Sequence, residues 1–142
     1  MAIIGSLETS SPRTLNGKCL CGTVRYQVAD QFRYCLNCHC SNCRRATGAA
    51  FKPFAGIERT KLRVTCGEDR LLIFGKESPH DAHCGNCGSL LYSLVREAAF
   101  VHITLGTLVD APSIRPSAHI FVGSKAPWYT ITDDLTQHEE FA

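Results

Sequence analysis

Short apolar segments, rich in β-branched and aromatic residues, recur along the chain, and several of them alternate between apolar and polar positions. Clusters of Gly, Pro, Asp, Asn and Ser separate these segments. This pattern is typical of β-strands joined by turns. It predicts strands at "TVRYQV" (23–28), "LRVTC" (62–66), "LLIF" (71–74), "LLYSLV" (90–95), "FVHITL" (100–105), "HIFV" (119–122) and "WYTI" (128–131).

Helical periodicity is not sustained over any long stretch, and the pattern predicts only one helical turn, at "SNCRRAT" (41–47). The chain has 142 residues, of which 44% are hydrophobic, and it contains no repeat or linker. A chain of this size can bury one substantial core. We therefore expect a single, mainly β domain spanning 1–142, with residues 1–16 as a loose leader or a peripheral strand.

The amino-terminal region lacks a basic stretch followed by an apolar core, so we expect no signal peptide. No apolar run approaches the roughly 20 residues that a membrane-spanning helix needs. These features predict a soluble, cytoplasmic protein. In a reducing compartment, the nine cysteines are more often metal ligands or redox groups than disulfides.

Seven cysteines fall into three clusters, "CLC" at 19–21, "CHCSNC" at 38–43 and "CGNC" at 84–87. Two cysteines separated by two residues, flanked by glycines, can direct both sulfurs at one zinc ion. We expect "CLC" to supply the other two ligands and complete a closed, structural site. Redox pairs or unrelated buried thiols are the alternatives. The predicted structural ligands are Cys19, Cys21, Cys84 and Cys87.

Cys38, Cys40 and Cys43 remain for a second zinc, and three sulfurs leave a tetrahedral shell incomplete. An incomplete protein shell is typical of catalytic zinc, whose fourth position takes water or substrate. The alternative is a closed site completed by a histidine or by Cys35. Candidate histidines are His39, whose side chain we expect to point away because its neighbours carry ligands, and His80, His83, His102 and His119.

Two cysteines lie outside the clusters, Cys35 and Cys66, and we expect both to be small buried apolar residues. The formal charge is +2. Seven thiolates and two Zn²⁺ ions would change it to −1. A mildly negative protein matches phosphate backbones poorly, so we expect no nucleic-acid partner.

Four motifs occur in an order that makes the chain resemble the glutathione-dependent formaldehyde-activating enzyme family. The match covers about residues 17–135. The motifs are "GKCLCGTVRY" (17–26), "CHCSNCRRATG" (38–48), "CGNCGSLL" (84–91) and "RPSAHIFVGSKAPW" (115–128). Thr136, Cys66 and His83 depart from residues usual in the family, and none of the three is a proposed ligand.

The resemblance implies an Mss4-like zinc-binding fold of several small antiparallel sheets. It also implies two zinc ions per chain, one structural and one catalytic, with ligands divided as above. The implied activity is that of a carbon–sulfur lyase for S-(hydroxymethyl)glutathione, with glutathione and a small aldehyde as partners. Fold membership does not fix the substrate. The alternative is a non-catalytic zinc β-domain that binds glutathione or a protein.

Several residues near the motifs have two readings. Arg44 and Arg45 could bind a carboxylate of the tripeptide or only offset the anionic zinc centres. Trp128 could wall the ligand pocket or lie in the core. His119 is more readily a structural histidine than a catalytic base.

Overall fold

The computed structural model describes residues 12–142. Residues 1–11 of the predicted leader lie outside the described residues, and residues 14–18 form a strand at the edge of a sheet, as the second reading of the leader predicts. The strands are β1 (Thr14–Lys18), β2 (Arg25–Ala29), β3 (Tyr34–Cys38), β4 (Lys52–Glu58), β5 (Leu62–Cys66), β6 (Leu71–Gly75), β7 (His80–Cys84), β8 (Leu90–Val95), β9 (Phe100–Thr104), β10 (Ala118–Ile120) and β11 (Thr136–Gln137).

One α-helix, α1 (Ser41–Thr47), follows β3 and coincides with the predicted helical turn. Short 3-10 turns add to it elsewhere. In the part of the chain that the structure describes, none of the helices has the length and apolar character needed to cross a bilayer. The predicted mainly β class with little helix is confirmed.

The strands form two sheets. The smaller has the order β1-β2-β5 and the larger the order β11-β10-β3-β4-β9-β8-β7-β6. Most neighbours are antiparallel, but β10 runs parallel to both β3 and β11. The larger sheet therefore has more strands than the small antiparallel sheets that we expect. Two of its strands, β10 and β11, come from the carboxyl-terminal part of the chain and extend the sheet beyond β3.

The main core lies between the two sheets. Alternate residues of β1 and β2 point into it, among them Leu15 and Val28. From the larger sheet, Ile57 of β4 pairs with Val101 of β9, and all four of these side chains are fully or almost fully buried. Because successive strand residues face opposite sides, this packing fixes which residues occupy the other face of the larger sheet.

That other face carries a second apolar cluster at the end of β3. Its buried members are Cys38, Phe54 and Ile120, and parts of α1 pack against them. Register explains the grouping, because Ile120 of β10 pairs with Cys38. The face thus presents a cysteine sulfur beside an apolar wall.

The predicted strand at "WYTI" is wrong. Residues 128–131 form no strand, and the Tyr129 amide instead closes a turn on the Ala126 carbonyl at 3.2 Å. Conversely, the pattern missed β3, β4, β7 and the two-residue β11. β4 contains Pro53 and Gly56, which weaken strand signals, and β7 reads "HDAHC", which is mostly polar.

Gly56 is the cross-strand partner of Tyr34, and the lack of a side chain at Gly56 lets the tyrosine ring lie across β4. A Cβ atom at position 56 would lie 2.2 Å from the ring carbon Cζ. Tyr34 Oη reaches His102 Nε2 at 2.8 Å and shares a hydrogen bond with it. The Tyr34 side chain therefore crosses β4 over Gly56 and connects β3 to β9.

Gly56→Ala should lower the free energy of unfolding by about 1–3 kcal/mol, because the ring must leave its place to relieve the overlap. Urea unfolding at fixed zinc concentration measures the change. Gly106→Ala is the matched control, since nothing lies within 4 Å of its added Cβ. Equal stability of the two variants would contradict the packing described here.

Candidate metal centres

The first cluster joins the two sheets. Cys19 directly follows β1 of the smaller sheet, whereas Cys84 ends β7 of the larger one. Each strand is followed by a tight turn that returns a second cysteine to the same point. The four sulfurs all lie within 4.8 Å of one another, and they belong to Cys19, Cys21, Cys84 and Cys87.

Glycines in the left-handed region make these turns possible. Gly22 has a φ of 80° and closes its turn by donating to the Cys19 carbonyl at 3.2 Å. Gly88 has a φ of 85° and donates to the Cys84 carbonyl at 2.8 Å. A residue with a Cβ is strained in this conformation, so glycine is the natural choice. The Leu20 amide then ties the two turns together through Ser89 Oγ.

The first cluster fits a zinc ion. Its sulfurs are 3.7 Å apart between Cys19 and Cys21, and 3.9 Å apart between Cys21 and Cys84. A tetrahedron with zinc–sulfur bonds of about 2.3 Å has edges of about 3.8 Å. Sγ of Cys84 also accepts backbone N–H groups from Asn86 at 3.3 Å and Cys87 at 3.4 Å, as a thiolate would.

Hydrogen bonding favours the ligand form of two of these thiols. Contacts with Ser89 lower the pKa of Cys87 to about 5. Contacts with Thr23 and Asn86 lower the pKa of Cys21 to about 7. Burial raises the pKa of Cys84, so the thiolate that zinc binds is favoured at Cys21 and Cys87 only.

The second cluster comes from one continuous segment. Cys38 ends β3, Cys40 is the N-cap residue of α1, and Cys43 lies in the first turn of that helix. Sγ of Cys40 accepts the Cys43 amide N–H at 3.3 Å, which satisfies one free donor of the helix start. The three sulfurs lie within 4.8 Å of one another.

Among residues 12–142, this group has three members and contains no histidine or carboxylate. Hydrogen bonds with the thiols of Cys38 and Cys43 lower the pKa of Cys40, whereas the corresponding contacts raise the pKa of Cys43. The proton is therefore lost first from the sulfur at the helix start. This donor set, three soft sulfurs at the end of a strand, suits zinc.

The histidines weighed as a fourth ligand lie elsewhere. His39 is fully buried and its Nε2 is 2.8 Å from Nδ1 of His119, so its side chain points away from the sulfurs as expected. His102 is bonded to Tyr34. His80 and His83 lie in β7, where their Nδ1 atoms contact backbone carbonyls. Both ring nitrogens of His119 are hydrogen-bonded, as expected of a structural histidine.

Sequence reasoning missed Lys52, which pairs with Cys38 across β3 and β4 and is only 5% exposed. Its Nζ donates to Ser93 Oγ at 2.9 Å, and that hydroxyl donates to Asp81 Oδ1 at 2.6 Å. A buried charge is costly unless it is paired or hydrogen-bonded, and the charge of Lys52 acts on the second cluster by opposing the rise in the pKa of Cys43. The one available signal was a lysine inside the otherwise apolar stretch "AAFKPFAG".

The two arginines that follow the second cluster differ in their surroundings. Arg44 is partly buried, and its Nε is buried without a hydrogen-bond partner. Arg45 is exposed and makes one long contact, of 3.4 Å, from Nη1 to the Ser41 carbonyl. The structure thus separates two residues that are equivalent in sequence.

Three other expectations can now be compared with the structure. The core reading of Trp128 is wrong, because its side chain is 70% exposed. The expectation of a buried Cys66 is also wrong, because it ends β5, the edge strand of the smaller sheet, with its side chain in solvent. Cys35 is buried as expected, and burial raises the pKa of its thiol to about 11.

Two surface clefts lie apart from the cysteine clusters. Two clefts, of about 260 Å³ and 180 Å³, are lined largely by β2, β5 and the turn between β4 and β5. Neither contains a cysteine.

Known proteins identify this arrangement. A sequence model described as "Glutathione-dependent formaldehyde-activating enzyme" matches residues 14–124. The chain belongs to the glutathione-dependent formaldehyde-activating enzyme family. The Mss4-like fold expected from the resemblance follows from this membership and from the mainly β architecture.

Two relatives of this family member give the extent of the likeness. A Halomonas elongata protein named "Putative glutathione-dependent formaldehyde-activating enzyme" is 29% identical over an alignment of 127 residues, and the match covers 82% of this chain and 80% of the relative. The crystal structure of a Rhodobacter sphaeroides protein is similar with a TM-score of 0.57 and 26% identity. That likeness covers 69% of this chain and 91% of the other.

Purified protein should contain close to two zinc ions per chain. Cys40→Ser should reduce the content to one ion with the fold retained, because its ligands come from one segment. Cys87→Ser should remove the ion that joins the two sheets and lower stability by several kcal/mol, since zinc binding at a structural site is folding free energy. Elemental analysis and thermal unfolding measure these effects.

Cys66→Ser is the matched control, because this exposed cysteine lies outside both clusters. It should keep two ions and the stability of the unaltered protein. An unfolded Cys40→Ser variant beside a folded, fully loaded Cys87→Ser variant would reverse the assignment of the two centres.

Proposed function

We propose that this family member is a zinc-dependent carbon–sulfur lyase that joins glutathione and a small aldehyde, or releases them from the adduct. The observation that carries the proposal is the contrast between the two clusters. One cluster has four sulfurs, as many as a tetrahedral shell needs, whereas the other has three. A shell with one position left is the arrangement of catalytic zinc.

Cys38, Cys40 and Cys43 would hold the zinc, and the chemistry that the ion would supply is stabilisation of the glutathione thiol in its nucleophilic thiolate form. In the reaction, a carbon–sulfur bond forms at the aldehyde carbon while the carbonyl π bond opens. The thiol proton ends on the new hydroxyl oxygen, so the adduct is S-(hydroxymethyl)glutathione when the aldehyde is formaldehyde. Orienting the two reactants supports a large rate increase, since effective molarities reach about 10⁵–10⁸ M.

The surroundings of the second cluster suit this chemistry. Phe54 and Ile120 form a buried apolar wall beside the sulfurs, which limits water at the centre. Arg44 lies one residue after Cys43, and its Nε is buried without a partner. We assign to it the binding of a glutathione carboxylate, by a charge-assisted hydrogen bond. Arg45, in solvent, has no role in this proposal.

Glutathione affinity should rise with pH through neutrality, towards the pKa of about 8.5 of a free thiol, because binding as thiolate releases a proton. S-Methylglutathione, which cannot form a thiolate, should bind at least tenfold more weakly. Calorimetry in buffers of different ionisation enthalpy counts the released proton. Adduct formation from glutathione and formaldehyde is followed in parallel.

The two measurements separate the competing functions. Binding with proton release and faster adduct formation supports the lyase. Thiol binding without acceleration would support the non-catalytic zinc domain instead. Equal affinity for both ligands, with no proton released, would show that the thiol does not reach the metal.

Arg44→Met should weaken glutathione binding about tenfold or more, since a hydrogen bond to a charged group contributes roughly 1.5–3 kcal/mol. Arg45→Met, one position further on the same helix, is the matched control and should bind glutathione normally. Titration of the zinc-loaded variants measures both. An equal loss of glutathione affinity in the two variants would show that the arginines act only through their general positive charge.

A further inference from the structure

Three side chains near the second cluster form a continuous hydrogen-bonded chain. The carboxylate of Asp133 lies 3.0 and 3.1 Å from Nε2 of His119. Nδ1 of His119 in turn lies 2.8 Å from Nε2 of His39. His39 and His119 are 0% and 1% exposed, whereas the Asp133 side chain reaches the surface.

The chain crosses three segments that are far apart in sequence. His39 follows β3, His119 is the middle residue of β10, and Asp133 lies just before β11. Backbone bonds hold the segments in place, because the His39 amide donates to the Ile120 carbonyl at 2.9 Å and the His138 amide donates to the His119 carbonyl at 2.9 Å. The Leu135 amide donates to Asp133 Oδ1 at 3.0 Å and fixes the carboxylate within its own segment. The carboxyl-terminal segment is thereby connected to the loop that carries the second cluster.

Asp133 determines where the ring protons lie. An ionised carboxylate only accepts, so His119 must donate from Nε2 and, as a neutral ring, accept at Nδ1. His39 then donates from Nε2 and has its lone pair on Nδ1. This Nδ1 atom is buried and without a hydrogen-bond partner. One surface carboxylate thus sets the tautomer and the orientation of two buried rings.

His39 stands between Cys38 and Cys40. Successive side chains of an extended backbone point to opposite sides, so a ring held on one side places the two flanking sulfurs on the other. The His39 ring is held by His119 and also packs on Phe51, with centroids 4.9 Å apart. Fixing this ring fixes the direction of two of the three sulfurs.

We propose that Asp133 and His119 are positioning residues of the three-cysteine centre and that they act through His39. The inference rests on zinc binding at that centre and not on the substrate of the proposed function. Groups that orient metal ligands typically contribute 10–100-fold to metal affinity. The change in zinc affinity should be confined to the three-cysteine centre. In the described residues, the hydrogen bonds that join Asp133, His119 and His39 include no cysteine of the four-cysteine cluster.

Asp133→Ala should lower the zinc affinity of the three-cysteine centre by about 10–100-fold and leave the four-cysteine centre unchanged. Asp133→Asn keeps an oxygen that can accept from His119, so its loss should be smaller. Asp134→Ala is the matched control, an exposed neighbouring carboxylate, and should leave both affinities unchanged. Competition with a chromogenic chelator measures the affinities, and cobalt spectra report the sulfur geometry.

A second readout does not require metal. Long-range proton–nitrogen spectra of the imidazole rings should show the Nε2–H tautomer at both His39 and His119, and Asp133→Ala should shift this preference. A proton on Nδ1 of His39 in the unaltered protein would overturn the proposal. So would equal zinc affinities in Asp133→Ala and Asp134→Ala, or equal loss at both centres in Asp133→Ala.

The proposed function can fail separately. A protein whose three-cysteine centre binds zinc but not glutathione would refute the lyase, while the affinity and tautomer measurements would still support or overturn the positioning role.

Discussion

Four sulfurs brought within 4.8 Å of one another are the constraint on which the rest of the structure depends. Two of them lie in the turn after β1 of the smaller sheet, and two lie at the end of β7 of the larger sheet and in the turn that follows it. Thiolates at this separation repel each other strongly unless a cation lies among them, since burial and like charge both oppose ionisation. A divalent ion among the sulfurs would convert this repulsion into a link between the sheets, and the turn glycines and the sulfur-directed N–H groups of this site suit such an ion.

The second cluster is built on a different principle. Its three cysteines lie within six residues, at the end of one strand and the start of one helix, so no distant parts of the fold depend on them for their connection. The larger sheet instead supplies a fixed platform, with the apolar side chains of Phe54 and Ile120 beside the sulfurs. A centre of this kind can exchange a ligand without separating the two sheets. The proposed function accordingly gives stability to one group of cysteines and reactivity to the other.

Much of this arrangement could be predicted from the sequence, because spacing carries local geometry. The partition of seven cysteines into four and three matches the two groups that the structure brings together. The short helix at 41–47 could also be predicted, because its signal lies in the local sequence around the second cysteine cluster. The strands at β3 and β4 could not be, because metal ligands, Pro53 and Gly56 conceal their alternation. Long-range partners such as Asp133 for His119 depend on β10 lying parallel to β3, and no local pattern indicates that pairing.

Lys52 shows how the fold balances charge at the second centre. Zinc with three thiolates carries a formal charge of −1, and this lysine, in register with Cys38, brings a positive charge to the same face. Hydrogen bonds with Cys38 and Cys40 raise the pKa of Cys43, and the charge of Lys52 opposes that rise. Ser93, two strands away on β8, accepts from the lysine, and Asp81, on the next strand β7, accepts from Ser93, so these two residues hold the ammonium in place. The centre is therefore flanked by Lys52 on one face of the sheet and by the imidazole of His39 on the other.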